Sequence, residues 1–255
     1  MERELVTSRA NPLLARVRKL NSRRAFRREE NAFAAEGPKL LGEALRWGAE
    51  LEAVIAAPGV SLPELPRGVR VVEVADGLLA SIADTETPQG VVFVCRGKSL
   101  ALPSALEGGR YLILDGVQDP GNVGTIWRAA DAFGADGLIL CSGCADPWSP
   151  KTVRATMGAV FRLPVYECAL EAAAEGLGRA GLPLYATALR EDTEDVRRVD
   201  LGRGAVIIGS EGRGVSREAL SLCGGTIKIP MSPRCESLNA AVAASVILWE
   251  MARND

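Results

Sequence analysis

From Tyr111 onward the chain alternates short apolar runs with segments of helical period, and that alternation constrains the fold more than any other feature of the sequence. YLILD (111–115), GLILC (137–141), LPVYEC, LPLYATAL (182–189), GAVIIG (204–209) and TIKIP read as strands. Helical stretches fall near 123–133, 151–160, 169–180 and 215–221, and a long apolar helix runs from Ser237 to Met251. Strands that are apolar along their whole length are buried on both faces, the pattern of a mostly parallel sheet with helices on both faces. Ligands of such sheets bind at the carboxyl ends of the strands.

A smaller α/β alternation precedes this one. Asn11-Pro12 suits a helix start, and Leu13, Leu14, Val17 and Leu20 recur at helical spacing, so residues 11–28 read as one helix. A short apolar piece, NAFAAEG, and a helix from Pro38 to Trp47 closed by Gly48 follow. Residues 51–57, 69–74 and 90–95 read as strands, and GLLASIA as a short helix. RGKSLALPSALEGGR has Gly, Pro and Ser without a period and reads as a linker. The expected organisation is a domain over 1–97, a linker over 98–109 and a second domain over 110–255.

Charge is unevenly spread. Residues 9–28 carry Arg9, Arg16, Arg18, Lys19, Arg23, Arg24, Arg27 and Arg28 and no acid, in a chain whose net charge is only −2. A basic segment on an acidic body points to an anionic polymer as partner, and these eight residues are the candidate nucleic-acid contacts; the alternative is a solvated helix face. No apolar run reaches the length of a membrane span, and MERELVTSRANP lacks the apolar stretch of a signal peptide, so a cytoplasmic protein without a membrane partner is expected. The six cysteines are expected to be buried small hydrophobes rather than disulfides. Histidine is absent, which excludes Ser-His-Asp and Cys-His catalysis and the commonest transition-metal ligand; no metal is expected.

Three segments carry chemistry. In DGVQDPGNVGTIWR (115–128) a strand ends, a Pro-Gly turn follows and a helix starts near Asn122, with Arg128 two turns in; free N–H groups at such a start suit an anion. In IIGSEGRGV (207–215) an apolar strand runs into Gly-x-Glu-Gly-x-Gly, where glycines let a ligand touch the backbone. Ile229-Pro230-Met231 and then Glu236-Ser237-Leu238-Asn239 lead into the last helix, and Ser237 suits its N-cap. Each segment by itself also reads as an ordinary turn or cap. Cys141-Ser-Gly-Cys144 lacks the second ligand pair that zinc needs, and Arg96-Gly97-Lys98-Ser99 lacks the first glycine of a phosphate loop.

In this order the three segments resemble the signature of the SpoU (TrmH-like) branch of the SPOUT RNA methyltransferases. The match falls on Asn122, Gly124 and Arg128; on Gly209, Glu211, Gly212 and Gly214; and on Ile229 to Met231 with Ser237 to Asn239. Thr85-Glu-Thr-Pro-Gln-Gly90 before a hydrophobic strand is similar to the small RNA-binding domain of that family. The resemblance implies a trefoil-knotted SPOUT domain, S-adenosylmethionine as methyl donor, a homodimer, and transfer to a ribose 2′-hydroxyl. The substrate it implies is large-subunit rRNA before tRNA; a non-catalytic RNA-binding scaffold is the other alternative. It implies catalytic roles for Arg128, Asn122, Glu211, Ser237 and Asn239. Donor contacts would come from Thr187, Gly209, Glu211, Gly212, Ile229, Met231 and Leu238.

Overall fold

The computed structural model describes residues 3–253, and these fall into two compact units. The first comprises residues up to Lys98 together with Trp148–Phe161; the second comprises Ser99–Pro147 and Arg162 onward.

The first unit contains β1 (Glu4–Val6), α1 (Pro12–Ser22), α2 (Arg24–Glu30), β2 (Ala32–Glu36), α3 (Pro38–Arg46), β3 (Leu51–Ala56), β4 (Arg70–Val74), α4 (Asp76–Ala80) and β5 (Val91–Arg96). Its sheet has the order β1-β4-β3-β5-β2, with β2 and β5 antiparallel and β1, β3 and β4 parallel. Side chains alternate across a strand. Ala34, Ile55, Val72, Val92 and Val94 therefore pack with Leu14, Val17 and Leu20 of α1. Phe33 points the other way and stacks on Trp148 at 4.8 Å between ring centroids.

The basic stretch departs from the sequence reading. It is two helices, because Arg23 is extended (φ −127°, ψ 109°) and breaks the run between α1 and α2. Two of its cations are structural. Arg27 is buried and donates to the Leu20 and Asn21 carbonyls. Arg16 donates to Glu30 at 2.8 Å and pairs with Glu52 at 2.7 Å, acids the local sequence does not place beside it. Arg9, Lys19, Arg23 and Arg24 stay exposed, and Arg18 and Arg28 are half-buried.

The second unit contains β6 (Arg110–Asp115), α5 (Pro120–Ala132), β7 (Gly137–Leu140), β8 (Val165–Glu167), α8 (Leu170–Arg179), β9 (Leu184–Thr187), β10 (Glu194–Asp195), β11 (Gly204–Gly209), α9 (Arg217–Leu222), β12 (Gly225–Lys228) and α10 (Ala240–Ala252). Helices α6 (Pro150–Ala155) and α7 (Ala159–Arg162) lie in the stretch at 148–161 that packs with the first unit, apart from Arg162. The sequence reads 151–160 as one helix. Met157 (φ 49°) and Gly158 (φ 97°) break it.

The seven-stranded sheet has the order β10-β12-β9-β11-β6-β7-β8, and every pairing between its strands is parallel. Ile113, Ile139, Ala186 and Ile207 pack with Ala173 and Leu177 of α8 and Ala219 of α9. Helices α5 and α10 contact each other, β7 and β11, with Trp127, Ile247 and Leu248 fully buried. β11 lies between β6 and β9, although both precede it in the chain.

Replacing Arg27 by Ala leaves two carbonyl acceptors without their donor, which costs about 1–3 kcal/mol. Urea denaturation of Arg27→Ala reports this loss, and Arg24→Ala, on the exposed side of the same helix, serves as the comparison.

Candidate active site

At the carboxyl end of the parallel sheet, Asp115 closes β6 directly opposite Gly209, which closes β11. Helix α5 starts immediately after β6. Its N-cap is Asp119, whose carboxylate accepts from the Asn122 backbone N–H at 2.9 Å. Asn122 therefore sits in the first turn with its side chain held out beyond the strands. Its Nδ2 donates to Glu211 Oε1 at 2.7 Å, and its Oδ1 accepts from Asn239 Nδ2 at 3.2 Å. Asn239 in turn caps α10, its Oδ1 accepting from the Ala241 and Val242 N–H groups at 2.9 and 3.3 Å. One hydrogen-bonded chain, Glu211–Asn122–Asn239, thus joins the three sequence motifs.

The N-cap of α10 is a correction: Asn239, rather than Ser237, holds that position. An Asn two residues later wins because the helix starts at Ala240 and its free N–H groups lie within reach of Oδ1.

Glu211 is held ionised. Burial works to raise its carboxyl pKa, but hydrogen bonds from Asn122 and the local backbone outweigh it, so the group lies below the usual carboxylate range. The charge at Glu211 persists at neutral pH and is lost only as pH falls through that lowered value.

The Gly-rich turn after β11 is closed on itself. Ser210 and Gly214 exchange reciprocal backbone hydrogen bonds at 3.0 and 2.9 Å, and Gly214 takes φ 67°. A Cβ on Gly209 would lie 2.0 Å from the Gly214 carbonyl carbon, so only glycine allows this approach. Asp115 fastens the far end, its Oδ2 accepting from Ser216 N–H at 2.7 Å.

Beneath this turn lies a cleft of about 560 Å³, within the size range of sites for small organic ligands. Of the sequence-predicted donor contacts, Thr187, Gly209, Glu211, Gly212, Ile229, Met231 and Leu238 all line it, as does Ser237. Ile208, Leu220 and Ile227 add apolar wall. Thr187 Oγ1 donates to the Ile207 carbonyl at 2.9 Å and so ties two strands at the cleft floor. Gly212 has open space where a side chain would stand. Asn122 and Asn239 border a neighbouring groove of about 470 Å³ between α5 and α10, with Phe133, Val242 and Trp249. Arg128 lines neither. It is exposed on α5, six residues past Asn122, which is about 9 Å along the helix and a third of a turn away in angle.

Sequence reasoning missed Asp115 and Ser216 as a pair. An acid ending an otherwise apolar strand was the available signal, but its partner lies 101 residues away. The cysteines are mixed: Cys95, Cys141 and Cys144 are buried, Cys168 and Cys223 partly so, and Cys235 is exposed, against the expectation for all six. Burial lifts the Cys144 thiol to about 11, and Cys141 lies above its usual range for the same cause, so both remain thiols at neutral pH.

A parallel sheet with a glycine turn, an asparagine-capped helix and an apolar cleft at its carboxyl edge defines an α/β domain with a small-molecule site at the strand ends. The sequence profile of the SpoU rRNA methylase family matches residues 109–249, and that of the MRM3-like substrate-binding domain matches residues 11–92. The chain belongs to the SpoU rRNA methylase family. It is 31% identical to a 23S rRNA (guanosine(2553)-2′-O)-methyltransferase of Bacillus subtilis, over 96% of this chain and 98% of that one. An AdoMet-bound rRNA methyltransferase from Sinorhizobium meliloti superposes with a TM-score of 0.87 at 34% identity, covering 98% of each chain. The SpoU methyltransferase AviRb of Streptomyces viridochromogenes, in complex with AdoMet, gives 0.84 at 30% identity, covering 96% of this chain and 98% of that one.

Asp115 lines no cleft surface and acts through the turn it fastens. Loss of a charge-assisted hydrogen bond of this kind costs about 1.5–3 kcal/mol, so Asp115→Ala is expected to lower the unfolding free energy by about that amount in urea denaturation. Asp115→Asn, which keeps an acceptor, is expected to fall between Ala and wild type.

Proposed function

We propose that this chain transfers a methyl group from S-adenosylmethionine to a ribose 2′-hydroxyl of large-subunit ribosomal RNA. The observation that carries the reading is the Glu211–Asn122–Asn239 chain at the mouth of the cleft, because it makes the three motifs one structure. The relatives' activities and their AdoMet complexes support the substrate class and the donor. A cytoplasmic location belongs to this reading, on the strength of a ribosomal RNA substrate.

The cleft fits the donor chemically. Its apolar wall suits an adenine ring, and the turn at 209–214 exposes backbone groups with no side chain in the way at Gly212. S-adenosylmethionine, when bound, supplies an electrophilic methyl on a sulfonium and departs as a neutral thioether. The ribose oxygen forms the new C–O bond, and its proton passes to solvent. The protein's part is to exclude water around the cleft, hold the turn shut and place the hydroxyl. Glu211 stays anionic and fixes the Asn122 amide, whose other end is fixed by Asn239. Ser237 and Leu238 form the rim.

Arg128 is assigned the phosphate beside the target ribose and the charge developing on the ribose oxygen. A guanidinium stays protonated in proteins, so electrostatic stabilisation and positioning describe its work better than proton abstraction. Arg128 is exposed and outside the lining of its own chain's cleft, which supports a homodimer in which it serves the second copy's cleft. The α10 face supports the same arrangement: Val242 and Trp249 are 49% and 58% exposed, large apolar side chains beside the Asn122–Asn239 pair. The placement of β11 between two earlier strands supports a knotted passage of the chain.

Wild-type protein is expected to bind S-adenosylmethionine by calorimetry and to add ribose 2′-O-methyl groups to ribosomal RNA, read by methylation mapping. Absence of donor binding favours the non-catalytic scaffold, and methylation confined to bases refutes the ribose assignment. Arg128→Lys is expected to lower turnover by about 10²-fold or more while leaving donor affinity intact, since Lys cannot reproduce the guanidinium fork. Near-normal turnover removes any role that needs that shape. Trp249→Asp is expected to shift the protein to monomer in sedimentation velocity.

A further inference from the structure

The first unit has a cavity that neither the basic helices nor the motifs of the second unit use. Its volume is about 120 Å³, and Lys39, Glu43, Thr85, Gln89, Arg154 and Met157 line it. Its floor is built by Glu36. That carboxylate accepts from the Asp84, Thr85 and Gln89 N–H groups at 3.2, 3.3 and 3.4 Å and from the Thr85 hydroxyl. These hydrogen bonds shape the 84–89 loop. The loop closes tightly on Gly37 (φ 100°), where a Cβ would lie 2.8 Å from Gln89 Oε1. On the opposite rim Met157 takes the left-handed conformation (φ 49°) and is 40% exposed. The left-handed turn that ends α6 leaves this flexible apolar side chain open to solvent at the rim.

The cavity continues into an exposed stripe. On α3 the buried residues are Leu41 and Ala44. Lys39, Glu43, Arg46 and Trp47 recur at i, i+4, i+7 and i+8 and share the opposite face. Trp47 is 48% exposed, and the Arg46 guanidinium stands 5.8 Å from its ring centroid. The stripe thus offers a flat aromatic surface, a guanidinium over its ring, a lysine, and a pocket of amide, hydroxyl and carboxylate groups whose floor is a hydrogen-bonded acid. Proteins recognise splayed bases of single-stranded RNA by stacking on aromatics and guanidinium planes and by hydrogen bonds to base edges. The cations at Lys39 and Arg46 match the adjoining phosphates.

We propose that α3 and the cavity beside it form a second RNA-contact surface, which stacks one unpaired base on Trp47 and seats a neighbouring base between Met157 and the 84–89 loop. The proposal rests on the reading of the chain as an RNA-modifying enzyme and names the unpaired form of that substrate.

The test uses the full chain, a short single-stranded RNA of mixed sequence and the same sequence annealed as a duplex. Stacking on an aromatic is sequence-tolerant, and Trp47→Ala is expected to weaken single-strand binding about tenfold. Trp47→Phe is expected to retain binding but to lose the quenching of tryptophan fluorescence that the single strand produces in wild type. Lys39→Ala and Met157→Ala are expected to weaken single-strand binding while S-adenosylmethionine affinity stays unchanged. Wild-type binding by Trp47→Ala, undiminished quenching in Trp47→Phe, or equal quenching by duplex each overturns the proposal. The same samples separate the two readings: a wild type that methylates RNA while Trp47→Ala binds normally loses only this surface. Quenching that depends on Trp47 in a protein that takes up no S-adenosylmethionine keeps the surface and removes the methyltransferase reading.

Discussion

The amide of Asn122 is the constraint on which the second unit depends. It donates to Glu211 at 2.7 Å and accepts from Asn239 at 3.2 Å, and its own backbone N–H is held by Asp119. Its side chain thereby carries one hydrogen bond from a helix cap and another to a carboxylate on a glycine turn. An amide serves here because it donates and accepts along one plane; a carboxylate in its place would face Glu211 with like charge. Because Asn239 also caps α10, the start of that helix and the shape of the cleft mouth are set together.

Much of this was legible in the sequence. The apolar strands of the second unit were legible by position, and their alternation with helices pointed to parallel pairing; β10, two acidic residues at the sheet edge, was not legible. The cleft residues were reached through the ordered trio of segments that resembles the SpoU signature, since each segment alone also reads as an ordinary turn or cap. Arg16 and Arg27 were not legible as structural, because their partners are either distant acids or backbone carbonyls. The break at Arg23 was hidden for a related reason: no Gly or Pro marks it, and the turn is imposed by packing α1 and α2 on β2. Asp115 shows the limit most clearly. Its role exists only because β6 and β11 are neighbours in space.

Glu36 and Glu211 are used in parallel ways in the two units. Each carboxylate gathers donors from a loop and fixes it, one beside α3 and one beside α5. In a chain without histidine, acids paired with N–H groups carry much of the local ordering. At Glu211 these hydrogen bonds hold the carboxyl below its usual range, so its turn keeps the ionised group across the neutral pH range.

The chain between Trp148 and Phe161 has a consequence for how separable the units are. Phe33 of β2 stacks on Trp148 and lies 6.3 Å from the Phe161 ring, both supplied from beyond the linker. A fragment cut at the linker would carry the whole five-stranded sheet yet leave the aromatic face of β2 bare to water. The segment with the sequence of a binding module is therefore not a transplantable one. A break at the linker parts Phe33 from both of these rings.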